Sequence, residues 1–126
     1  AQATGNIGIN STSPTVRLDV VGDARISGVV TATDFNTTSD QNLKTNIKTI
    51  GNPLDKITQI RGVNFEWRED HRQSAGVIAQ EIEKVLPELV MGDKTKTVNY
   101  NGLIGLLIEV VKEQQKEINM LKERLN

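Results

Sequence analysis

The sequence predicts an α+β protein in three parts: a β-rich N-terminal segment at 1–38, a small mixed α/β domain from residue 39, and a long helix at 103–126 that closes that domain. Three observations carry this reading. Short alternating runs separated by turn formers dominate the first part. Alternating and helical patterns then succeed one another in short pieces, and the last part keeps one unbroken helical period.

The first part shows its clearest pattern in TVRLDVVG, where Val16, Leu18 and Val20 alternate with Arg17 and Asp19, the period of a half-buried strand. Val21-Gly22-Asp23 reads as a turn, and ARISGVVTATDF predicts a second strand or a broken pair interrupted at Gly28. The opening GNIGINSTSP is rich in turn formers around Ile7 and Ile9. Large apolar residues are too few for this region to fold alone, so its strands need partners from other chains or from sequence upstream.

In the second part, NPLDKITQI after Gly51 predicts a short helix turning Leu54, Ile57 and Ile60 inward. GVNFEW alternates Val63, Phe65 and Trp67 against Asn64 and Glu66, a strand pattern. SAGVIAQEIEKVLPELV contains a helix, with Ile78, Ile82, Val85 and Leu86 at helical spacing and Pro87 to end it. GDK is a turn and TKTVNY a further short strand.

The third part carries Ile104, Leu107, Val111, Gln114, Ile118, Leu121 and Leu125, spaced alternately three and four apart. That is a heptad seam with one polar member. With Val111 and Ile118 at a positions, Glu117 falls at g and Lys122 at the next e, a pairing that favours parallel packing. The plainer reading is an amphipathic helix docked on its own domain. Beyond Gln114, however, the stripe narrows to the seam alone. Gln114 at a d position suits a residue that fixes register, and the seam leaves the number of strands open.

Composition narrows the functions. The 126 residues carry a formal net charge of −1, which gives no electrostatic footprint for nucleic acid or an anionic membrane. Aromatic residues make up only 3%, so a core rests on Ile, Leu and Val, and burial against copies of itself is a natural supplement. The absence of cysteine excludes disulfides, zinc-thiolate sites and thiol catalysis. No apolar run approaches the length of a membrane span and no signal-peptide pattern opens the chain, so no membrane insertion is expected. Neither a metal nor a cofactor is expected.

Few residues carry chemistry. His71 is the only histidine, set in the charged stretch REDHRQ that reads as a solvated loop. Glu81 and Glu83 lie two apart on a helix and therefore face different ways. GNIGIN lacks the third glycine and the following helix of a phosphate-binding loop. That leaves Ser39 and Lys44 within TTSDQNLKTNIKTI. A serine hydroxyl becomes a nucleophile when a base takes its proton, and a buried lysine can be that base. The nearest carbonyl is that of Thr38, so attack on the preceding peptide bond needs no substrate pocket. Against this, Ser-Asp is a good pair for opening a turn or capping a short helix.

The order SDQNLKTNI, GVNFEW, AGVIAQEIEKVLPELV, TVNY and a terminal helix resembles the intramolecular chaperone domain of phage tailspikes, tail fibres and endosialidases, a self-cleaving peptidase module. The resemblance runs from about Ser39 to Leu125, and the upstream segment resembles the repetitive β segments that precede such domains. A related module occurs in the myelin regulatory factor transcription factors, but the upstream segment favours the phage setting. The resemblance implies a homotrimer with a parallel helical bundle that helps an upstream fibre chain to fold in the host cytoplasm. It also implies release by a Ser39–Lys44 dyad at the Thr38–Ser39 bond, one cut per chain with no substrate in trans, leaving the fibre in the virion tail. At one position the pattern departs: many members have arginine three residues after the serine, where Asn42 stands here. The alternatives are a permanent, uncleaved trimerisation tip and a tip that contacts a host receptor through loops such as EDHRQ and MGDKTK.

Overall fold

A computed structural model describes residues 5–126 and divides between Thr45 and Asn46 into two units. In the first, β1 (Ile7–Ile9) pairs in parallel with β2 (Leu18–Val20), Ile7 opposite Leu18 and Ile9 opposite Val20. Parallel neighbours usually need a crossover of about a dozen residues or more. Here a shorter loop suffices because its turn-forming residues bind it down. Asn6 Nδ2 donates to the Pro14 carbonyl at 3.0 Å, Ser11 Oγ to Asp19 Oδ2 at 3.0 Å, and Asn10 Nδ2 to the Val21 carbonyl at 3.2 Å.

ARISGVVTATDF forms no strand, and β1 arises instead in the stretch that reads as turn. The reason is partnership: strand backbone is held by a hydrogen-bonded neighbour, and β1 supplies one to β2, whereas no strand lies between Val21 and Thr38 among the described residues. Nor does burial in β2 follow the alternation, since Asp19 and Val20 are both half-buried. Val16 and Leu18 are exposed, and none of the described residues up to Thr45 is buried.

The second unit has a core of its own. Ile82, Leu86, Leu106 and Val110 are buried, with Ile50, Leu54, Ile57, Ile60, Val85, Leu89 and Leu103 among the residues packed around them. Helix α1 (Pro53–Ile57) begins on a proline, whose missing N–H costs nothing in a first turn, and brings Leu54 and Ile57 to this core. Strand β3 (Val63–Glu66) pairs antiparallel with β4 (Gln73–Gly76). Beyond the pair the chain turns through His71 in the left-handed region (φ 58°), where Trp67 meets Phe65 edge to face at 5.1 Å. Strand β4 lies in a stretch the sequence presents only as the approach to a helix.

Helix α2 (Ala79–Val85) buries Ile82 and ends where Pro87 opens a short 3₁₀ turn, as its sequence requires. Strands β5 (Val90–Met91) and β6 (Thr97–Val98) pair antiparallel around Gly92. At φ 97°, with a Cβ there colliding with the Thr95 carbonyl, this position admits only glycine.

Helix α3 (Tyr100–Arg124) runs 25 residues, about 37 Å at helical rise. Asn99 caps it, its Oδ1 accepting from the Asn101 N–H at 3.2 Å. Its start is stitched to the rest of the unit: Tyr100 Oη accepts from the Val77 N–H at 3.2 Å, and Gly76 leaves room for that hydroxyl where a Cβ would sit 2.5 Å from it.

Candidate functional site

An extended chain would hold Ser39 and Lys44 about 17 Å apart. A single turn closes that gap. Asp40, in extended backbone, caps the 3₁₀ turn Gln41–Leu43, its Oδ1 accepting from the Asn42 N–H at 2.9 Å. The Asp40 carbonyl accepts from the Leu43 N–H and the Gln41 carbonyl from the Lys44 N–H, each at 3.1 Å. Lys44 then returns to extended backbone, and its Nζ donates to Ser39 Oγ at 2.6 Å. The turn that Ser-Asp opens is what brings the Lys44 amine against the Ser39 hydroxyl.

At 2.6 Å the contact is slightly shorter than the usual N–H···O hydrogen bond. The same pair of atoms can serve a proton moving either way, from the ammonium toward oxygen or from the hydroxyl to a neutral amine. Thr38, Ser39 and Lys44 are all exposed in the single chain.

The heptad residues form a second feature. Ile104, Leu107, Val111, Gln114, Ile118, Leu121 and Leu125 are all exposed along α3. The opposite face of its first half docks on the second unit through Leu103, Leu106 and Val110. From Gln114 to Asn126 every residue is exposed. The helix therefore follows the docked reading in its first half while keeping the seam free along its whole length. Ile108, outside the seam, is also exposed and widens the apolar face; its place four residues after Ile104 was the signal for it.

Other candidates have ordinary partners. His71 lies 3.7 Å from Glu66 with its side chain 81% exposed. Glu81 pairs with Arg61 at 2.7 Å and Glu83 with Lys96 at 3.0 Å, diverging as their spacing requires. Among the described residues no cluster of His, Cys, Asp or Glu could hold a metal ion, and no helix is long and apolar enough to cross a membrane.

Residues 39–91 match the family described as the chaperone of endosialidase, so the match opens on Ser39 itself. The chain carries a domain of this chaperone family, and its relatives are phage tail-fibre proteins. It is 39% identical over 111 residues to the long tail fiber protein Gp37 of Salmonella phage S16, covering 78% of this chain and 15% of that protein. To Gp37 of Enterobacteria phage K3 it is 36% identical over 98 residues, covering 69% of this chain and 8% of the relative. For Gp37 of Enterobacteria phage Ox2 the figures are 31% over 96 residues, 67% and 38%. The chain thus spans only a small part of the first two of these relatives.

Proposed function

We propose that this chain is the chaperone end of a phage tail fibre, which gathers three copies through the α3 seam, helps the β-rich fibre chain to fold, and is then released by its own Ser39–Lys44 dyad. The observation that carries the release step is the 2.6 Å contact between Lys44 Nζ and Ser39 Oγ at the start of the family match. The exposed seam supports assembly. A helix half with no partner in its own chain is only marginally stable in water, and side-by-side copies would cover its apolar stripe. Residues 1–38 are, on this reading, fibre, and the assembled product belongs to the virion.

The cut proceeds in balanced steps. Ser39 Oγ attacks the carbonyl carbon of Thr38 while Lys44 Nζ, in its neutral form, accepts the hydroxyl proton. The resulting tetrahedral oxyanion collapses, the bond from the Thr38 carbon to the Ser39 nitrogen breaks, and Lys44 returns the proton to that nitrogen. The Thr38 acyl group is now an ester on Ser39 Oγ. One water hydrolyses it, giving a Thr38 carboxylate and a Ser39 with free amine and hydroxyl. Burial is what favours a neutral amine, and the dyad is exposed in one chain, so the reading requires assembly to cover it. Release also has a physical point: a fibre parted from its chaperone persists by the height of its unfolding barrier.

Denaturing electrophoresis of freshly made full chain beside Ser39→Ala tests the release step. Wild type is expected to give two fragments, the larger beginning at Ser39 by mass spectrometry, with the variant intact. A single full-length band from both leaves the permanent, uncleaved trimerisation tip as the function.

A further inference from the structure

The geometry points to Asp40 as the positioning residue of this self-cleavage: by holding the Asn42 N–H, its carboxylate fixes the turn that carries the Lys44 amine onto Ser39 Oγ. The inference rests on the dyad reading above and adds to it the group that sets the dyad's geometry. Nothing from Thr38 to Lys44 is buried, so packing within the chain does not hold the turn. What holds it is a set of three hydrogen bonds, from the N–H groups of Asn42, Leu43 and Lys44. Two of them are the backbone bonds of a 3₁₀ turn too short to persist by itself. The third is the Asp40 side chain at 2.9 Å, and it alone depends on the identity of a residue. Losing it frees the backbone between nucleophile and base, and reactions of this kind fall steeply when the reacting groups are displaced by even an ångström.

The same geometry bears on Asn42, which lies inside the turn. The turn uses the backbone N–H of that residue, so its side chain can change without moving Lys44.

The test follows the cleavage rate of the full chain, with assembly of each variant checked by light scattering. Asp40→Ala removes the acceptor and is expected to slow the cut about fivefold to tenfold, in line with loss of a capping bond. Asp40→Asn keeps an acceptor oxygen without the charge, and is expected to restore the rate to within about twofold of wild type with an unchanged pH profile. A variant Asp40→Ala that cuts as fast as wild type overturns the inference. So does an Asp40→Asn as slow as Asp40→Ala, or one with a displaced pH profile, since the charge rather than the cap would then matter. If wild type and Ser39→Ala both stay whole, the dyad reading itself falls and this inference with it. That outcome is distinct from the others, in which wild type cuts.

Discussion

The two units of this chain handle apolar residues in opposite ways. From Asn46 onward, Ile82 and Leu106 are fully enclosed at 0% exposure, and short elements from several parts of the sequence converge on them. Before that boundary, Val29 is 69% exposed and Phe35 likewise, in backbone with no strand partner. The contrast separates a sequence that completes its interior within one chain from one that leaves its apolar groups uncovered. The first kind closes its core within one chain; the second holds its short strand pair by hydrogen bonds while its apolar side chains stay open to solvent.

Three experiments bear on that contrast. The largest effect is expected from Leu106→Ala, which hollows the enclosed core of the second unit and should cost about 2–5 kcal/mol in denaturant unfolding. Val29→Ala, which leaves no cavity in a single chain, should stay within about 0.5 kcal/mol in the same measurement on monomeric protein. An equal loss from both would mean that the first unit also has an interior in the monomer. Next comes Leu121→Asp, placed on the free half of α3. It is expected to leave a monomer at micromolar concentration by light scattering while the fold of residues 46–113 survives by circular dichroism, because a charge in a heptad seam opposes association without touching the docked face. Persistence of the wild-type assembly would remove the seam from the assembly reading. The last of the three, with the smallest effect apart from the near-silent Val29→Ala control, is Asn99→Ala. It removes the α3 cap and should lower the stability of the second unit by about 1 kcal/mol, seen as a modest fall in melting temperature.

Legibility in the sequence followed the same division. Helix α3 was readable because its information is local, an apolar period sustained over many turns; its start was not, since it begins at Tyr100, inside the stretch TKTVNY expected to be strand, rather than at Leu103. Its two faces were readable less well, since Leu106 and Leu107 are equally apolar and only packing tells which one goes inside. Strand β4 escaped because Gln73 and Ser74 carry no alternation, and its structure comes from pairing with β3. The strand expected at ARISGVVTATDF had the right residues and no neighbour. As for the site, the five-residue spacing of Ser39 and Lys44 was visible, and Ser-Asp signalled a turn. What spacing does not encode is that the turn closes tightly enough to put amine against hydroxyl, which depends on the carboxylate of Asp40 finding the Asn42 N–H.

Leu106 and Leu107 are adjacent in the chain, yet the first faces the domain's own interior and the second faces outward along the seam. Helix α3 is therefore a wall with two apolar sides. Any copy that seats on the outer side binds only the folded form of the inner one, and by mass action that raises the stability of the domain itself. On the proposed assembly, folding and association are linked equilibria, so the temperature at which the domain melts should climb with the concentration of the chain.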